Sequence, residues 1–347
     1  MAILGGRKAV VTAAAFGDMA QAVLSLRSAE HFLPGFDLFW VVLDSPADMA
    51  GPEELARVLP AAPPLGDDFL NHAFFYTKEE LRQVSACRAV AHLQKEYDTV
   101  ALLEPGALLV GQVFGIDFLL GADRVLTFET SPAPVNPPLK TLQQDMYDNG
   151  AGLAFYGAGP EMRRYLEWCK DKFDYIERQG ITAWADTEHT GKPMDPQTGF
   201  YRSWQAFYPL FGMQHQSLQG DVLRPPFKGE DPEHPVLVNF AGVSEAMAVP
   251  INRPRLANWW ANYRKATAKL RMPDAQYRFD RFEDGTLIHP ALRGYLRHNY
   301  RLRFACQNNP FAHRTLFTDE SIVLGDNRRL PVTAIEDALW QLRPDLQ

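Results

Sequence analysis

The run from Phe36 to Asp44, FDLFWVVLD, constrains the fold more than any other stretch, because it is apolar at consecutive positions instead of alternating ones. A strand facing water on one side alternates polar with apolar; one this uniform must be covered on both faces, as in a largely parallel sheet with helices above and below. The segments around it fit that arrangement. Lys8 to Ala15 is a short β-rich run, and Met19, Val23, Leu26 and Phe32 follow at helical spacing. Thr77 to Tyr97 reads as a helix opened by a capping box, with Thr77 at the cap and Glu80 three residues on. TVALLE, then Arg124 to Glu129, then Gly152 to Tyr156 read as further strands, the last leading into a helix from Pro160 to Arg178. Alternating strands and helices imply an α/β fold with a mostly parallel central sheet flanked by helices. Pro235 to Gly242 is again strand-like and ends in a tight turn, and residues 253 to 270 form a basic amphipathic helical pattern. Residues 181 to 235 read as loops over the sheet edge, with one helix at Ser203 to Phe207.

Ligands of such sheets sit at the carboxyl ends of the strands, where Asp44, Glu104 and Glu129 all fall. No GxGxxG follows the first strand, which argues against a dinucleotide-binding order, and no GxSxG, P-loop or HExxH occurs. His72, His92, His189, His215 and His234 show no metal-ligand spacing. Cys87, Cys169 and Cys306 are far apart, odd in number and outside any CxxC pair, so they read as reduced thiols. Nothing approaches the roughly 20 apolar residues of a membrane-spanning helix, and no signal-peptide pattern opens the chain, so a soluble cytoplasmic protein is expected.

The net charge of -7 conceals an asymmetry: Ile251 to Arg303 carries twelve Lys or Arg against four Asp or Glu. That block either solvates itself or docks on the acidic remainder, or it faces an anionic membrane surface, a nucleotide or a polyanionic acceptor. With no Gly/Ser linker before it, the expected organisation is one domain over 1–250 and a basic helical and irregular C-terminal extension, 251–347, wrapped on it. Its aromatics, Trp259, Trp260, Tyr263, Tyr277, Phe279 and Phe282, either pack as core or stack on sugar rings.

Five segments, in order, resemble the GT-A-fold glycosyltransferases of the glycogenin and galactosyltransferase-like group. They are VVTAAAFGDMAQAVLSLRS, YTKEELRQVSACRAVAHLQKEYDTVALLEPGALLV, DNGAGLAFYGAGPEMRRYLEWC, NFAG and RFEDGTLIHPALRGYL. The resemblance implies a GT-A-like nucleotide-sugar-binding fold. It also implies transfer of a sugar from a nucleotide-activated donor to a bacterial surface glycan or other acceptor, without nucleic acid as a partner. In that family an Asp-x-Asp pair and the His of His-Phe-x-Gly hold a divalent cation against the donor diphosphate. The matching positions here are Glu104, Gly106 and Asn239, with Gly242 closing the turn. One carboxylate, a glycine and an amide make a weak cation site, so no tightly bound metal is expected.

A cation from the chain must then face the departing diphosphate. Arg88, in register with Leu81, Val84 and Ala91, points to the sheet side and is the candidate; it could equally pair with Glu104 as scaffold, while Arg82 is expected at the surface. Lys228, in RPPFKGEDP, is a second candidate or simply solvated. By the same resemblance, Thr12, Ala13 and Phe16 would line the base and Asp44 would contact base or ribose. Asn149 would touch sugar or acceptor, unless DNG is only a turn, and Asp195 or Gln197 would serve as the catalytic acid-base or sugar-orienting group. The alternative is a non-catalytic module of this fold that binds a glycan, a nucleotide or a protein.

Overall fold

The computed structural model describes residues 6–44, 57–60, 69–76, 78–128, 152–174, 211, 213–223, 235–241, 243, 254–270, 277–288, 311, 321–323 and 329–331. The strands are β1 (Lys8–Ala14), β2 (Phe36–Val42), β3 (Arg57–Pro60), β4 (Thr99–Leu103), β5 (Ala107–Leu109), β6 (Arg124–Phe128), β7 (Leu153–Gly157), β8 (Gln214–Leu218), β9 (Asp221–Leu223), β10 (Pro235–Asn239), β11 (Ser321–Val323) and β12 (Arg329–Pro331). The helices are α1 (Met19–Phe32), α2 (Phe69–Phe75), α3 (Lys78–Leu93), α4 (Ile116–Leu119), α5 (Pro160–Asp174) and α6 (Pro254–Leu270). Among them no helix is long and apolar enough to cross a membrane.

Seven strands form the central sheet in the order β3-β2-β1-β4-β7-β6-β8. The fold is mixed α/β, a central sheet flanked by helices. The double-sided burial expected of the second strand is realised: Phe39, Val41 and Leu43 join the core under α3 and α5, while Leu38, Trp40 and Val42 join the core under α1. β7 departs from the parallel pattern, pairing antiparallel with both β4 and β6. Its amino end, not its carboxyl end, therefore lies at the sheet edge where β1, β2 and β4 terminate.

The stretch after β4 leaves the central sheet. Pro105-Gly106 turns the chain, β5 pairs antiparallel with β10, and β9 completes a separate three-stranded sheet. Gly106 sits at φ +89°, where a side chain is strained. Serines on α1 brace this turn: the Gly106 amide donates to Ser25 Oγ (3.0 Å), and the Leu109 amide to Ser28 Oγ (3.0 Å).

The second half is built onto this frame. α6 packs on α1, and its Tyr263 stacks with Trp260 (5.8 Å between centroids) and lies 5.0 Å from the Phe240 ring. Phe279, Phe282 and Ile288 enter the same core as α2 and α3. Cys87 and Cys169, distant in sequence, meet where α3 packs on α5; both are buried free thiols, and burial first, then the neighbouring Cys87, pushes the Cys169 thiol well up. The Thr77 cap, Glu129 and the 203–207 helix lie outside the described residues.

Candidate functional site

β1 hands the chain to β2 on one side, and the chain later returns to β4 on the other. That reversal makes a crevice beyond the carboxyl ends of β1 and β4. A cleft of about 330 Å³ lies there, lined by Ala15, Asp18, Gln21, Leu43, Lys78, Glu79, Arg82, Pro105 and Ala241. Its size is within the range of small-molecule sites. The walls come from the ends of β1, β2 and β4, the start of α1, the first turns of α3 and the turn after β10.

Two cations and three carboxylates meet in and around it. Lys78 Nζ lies 2.5 Å from Asp18 and sits 5.9 Å over the Tyr277 ring, so the C-terminal segment reaches the cleft. Arg82 donates from Nε (2.9 Å) and Nη2 (2.5 Å) to the two oxygens of Glu79, and its Nη2 is 4.0 Å from Glu104 Oε1. Burial opposes the Arg82 charge, but the bond to Glu79 and the charges of Glu104, Glu79 and Asp18 outweigh it and hold the guanidinium firmly protonated.

Glu104 is the carboxylate at the end of β4, with its side chain 23% exposed. Burial pushes its pKa up; Arg82 and a hydrogen bond from the Asn239 amide pull it down, and Glu79 adds to the rise. Asn239 Oδ1 is already occupied, accepting from the Ala241 amide at 2.8 Å. A side chain at Gly106 would be crowded: a Cβ there would lie 3.1 Å from Ala241 N and 3.2 Å from the Tyr263 hydroxyl, so one of them must give by a few tenths of an ångström. The three positions that would carry a divalent cation thus offer one carboxylate facing a guanidinium, one amide whose oxygen already accepts a backbone hydrogen bond, and a tight corner at a glycine. Among the described residues no cluster of three acidic, His or Cys side chains could hold a metal ion.

The Tyr263 hydroxyl beside that corner is buried and has no hydrogen-bond partner among the described residues, and burial, then the charge of Asp18, pushes its pKa up to about 12. An unpaired buried hydroxyl costs roughly 1–3 kcal/mol, so Tyr263→Phe, which keeps the ring packing, is expected to hold or raise the melting temperature. A fall equivalent to more than about 1 kcal/mol in thermal melts would mean that the hydroxyl does have a partner.

The other expected site residues distribute unevenly. Arg88 is buried (4% exposed) as its helical face requires, but it is Arg82, expected at the surface, that lines the cleft and faces Glu104. Periodicity assigns a face and not a height along the helix: Arg82 lies near the amino end of α3, at the sheet edge, and Arg88 lies six residues further along. Thr12 and Ala13 are interior to β1 at 0% and 2% exposure, and Thr12 Oγ1 has no hydrogen-bond partner among the described residues; the residue that reaches the cleft is Ala15, just past the end of β1. Phe16 is buried and stacks on Trp40 at 6.4 Å. Asp44 turns its carboxylate to the backbone, accepting from Phe16 N (2.6 Å) and Arg278 N (3.2 Å), so both oxygens are engaged by the chain and not by the cleft. Asn149, Asp195, Gln197, Lys228 and Gly242 lie outside the described residues. Asp18, Lys78 and Glu79 were not singled out from the sequence; the available signal was their place just after a strand end or at a helix start, where the strand-end rule points.

No protein-family model and no curated protein sequence matches the chain. Several solved structures are similar to it. The galactosyltransferase LgtC, solved with donor and acceptor sugar analogues, is 13% identical, with 82% of this chain and 99% of that chain covered and a TM-score of 0.41. The glycosyltransferase GlyE of Streptococcus pneumoniae is 12% identical over 80% of this chain and 67% of that chain, with a TM-score of 0.36. Mouse xyloside xylosyltransferase 1 is 11% identical over 70% and 100%, with a TM-score of 0.39.

Proposed function

We propose that the chain is a glycosyltransferase that binds a nucleotide-activated sugar in the cleft at the β1 and β4 ends and passes the sugar to a glycan or other acceptor, without a tightly bound metal. The observation that carries this reading is the pair of cations, Lys78 and Arg82, on the wall of a switch-point cleft, beside the position that resembles the family's Asp-x-Asp. Glycosyl transfer from a nucleotide sugar releases a diphosphate on which negative charge builds in the transition state. Two fixed positive groups, one planar and able to bind two oxygens at once, suit that charge. Lys78 and Arg82 take the charge-offsetting role that the sequence assigned to Arg88. Glu104, held between Arg82 and Asn239, keeps the guanidinium on the cleft wall. The sugar-orienting and acceptor roles stay with Asp195, Gln197 and Asn149, and Lys228 with the donor phosphates, as the family resemblance implies. In this reading the basic block of 251–303 makes peripheral contact with an anionic membrane surface, which is the setting of the acceptor.

Titration calorimetry with a panel of nucleotide sugars and free nucleoside diphosphates, in manganese and in EDTA, tests donor class and metal use together. Binding should survive chelation and be accompanied by slow donor hydrolysis. Arg82→Ala should then weaken diphosphate binding by about 1.5–3 kcal/mol, the size of a lost charge-assisted contact. A folded protein that binds no nucleotide under either condition would refute the enzyme reading and favour the non-catalytic module.

A further inference from the structure

The Arg82 guanidinium is already occupied. Glu79, one turn before it on α3, presents both carboxylate oxygens to Nε and Nη2, the fork-to-fork geometry in which arginine also binds phosphate. The two partners differ in exposure: the Glu79 side chain is 56% exposed and that of Arg82 19%. Glu79 Oε1 also accepts from Gln83 Nε2 (3.1 Å), a bond it exchanges for water as it turns outward, whereas Arg82 stays on the cleft wall. Glu104 cannot play the same part, because it stands at 4.0 Å from Arg82 and is tied to Asn239.

We propose that Glu79 is a built-in competitor for the anion site, its carboxylate holding the guanidinium face that a diphosphate oxygen of the ligand takes, and leaving for solvent when the ligand binds. This rests on the reading of the cleft as a diphosphate site and adds to it a residue that sets affinity by occupancy. No bond is made or broken in the exchange; one oxyanion replaces another on the same two N–H donors. The second cation is arranged alike, with Asp18 on Lys78, but Lys78 also lies over Tyr277 and is held from two sides.

The experiment is calorimetric titration of the full chain with UDP and with GDP in EDTA, comparing wild type, Glu79→Gln and Glu161→Gln. Glu161 carries an exposed ion pair with Arg164 on α5, so its variant removes the same charge away from the cleft. Glu79→Gln is expected to bind about threefold to tenfold more tightly, the span from an exposed to a partly buried ion pair, with wild-type thermal stability within a few degrees. Glu161→Gln is expected to leave the affinity unchanged. Unchanged or weaker binding by Glu79→Gln would make Glu79 an aligning partner of Arg82 and overturn the proposal alone. Equal tightening by Glu161→Gln would reduce the effect to net charge and also overturn it. Failure of folded wild type to bind either nucleotide would overturn the cleft reading itself, and this inference with it.

Discussion

Gly106→Asp, which restores a carboxylate at the position resembling the second acid of the Asp-x-Asp pair, is expected to destabilise the chain by about 3–5 kcal/mol and not to create a manganese site. The first part of that cost is backbone: at φ +89° any side chain is strained, by roughly 1–2 kcal/mol. The second is space, since the new Cβ meets the Ala241 backbone at 3.1 and 3.3 Å, where little can yield, and the Tyr263 hydroxyl at 3.2 Å. The third is charge: the carboxylate would enter a corner that already pushes the pKa of Glu104 up by burial. Gly106→Ala carries only the first two and should cost about 2–3 kcal/mol, so the difference between the variants isolates the charge. Manganese is the decisive probe, because an ion bound by the folded state raises its melting temperature in proportion to ln(1 + [L]/Kd). No manganese-dependent rise is expected for wild type or either variant. A Gly106→Asp protein that melts as wild type does and gains several degrees with manganese would show that the cation site needs only its missing acid.

That corner also shows what the sequence could and could not reveal. The elements were legible because they are set by local pattern. Met19–Phe32 matches its apolar spacing to the residue, Phe36–Val42 is covered on both faces as its unbroken hydrophobicity demands, and Pro254–Leu270 follows the amphipathic basic repeat. The departure at Pro105-Gly106 was legible as a turn. Its destination was not, because β5 pairs with β10, more than a hundred residues away in sequence, and no short-range signal encodes that partner. The reversal of β7 was hidden for the same reason: LAFYG is equally apolar in either direction.

The site was legible as a place, at the strand ends, and less so as a set of side chains. Glu104 and Asn239 do meet, bonded to each other. Tyr263, by contrast, comes from a helix whose aromatic spacing says only that it packs, and nothing in the sequence shows that its hydroxyl fills the space beside Gly106. Arg82 and Arg88 lie on one helix with similar surroundings in sequence. Which of them reaches the cleft depends on where along α3 the sheet edge falls, a tertiary fact.

Asp44→Ala is expected to cost about 2–4 kcal/mol, because it strands two backbone donors at once, each worth roughly 1–3 kcal/mol when left unpaired. The carboxylate joins the corner after β1, through Phe16 N, to the C-terminal segment, through Arg278 N. It therefore couples the cleft's first wall to the segment whose Tyr277 ring lies beneath Lys78, and its loss should weaken nucleotide binding as well as stability. Asp44→Asn keeps one acceptor oxygen and should fall between Ala and wild type. The pH dependence separates hydrogen bonding from charge. Burial raises the Asp44 pKa above its ordinary 3.8, with the Phe16 and Arg278 amides and Lys78 opposing the rise and Asp18 adding to it. A carboxyl whose folded pKa exceeds its unfolded one holds its proton more tightly in the folded state. Its contribution is then complete below the ordinary value and declines as pH rises through the folded value. Asparagine does not titrate, so the penalty of Asp44→Asn relative to wild type should be largest below pH 3.8 and shrink as pH rises toward neutrality. Chemical denaturation at a series of pH values measures that difference directly. A penalty that grows with pH would mean that the two backbone donors outweigh burial, and that Asp44 serves the fold as an anion and not as a desolvated acid.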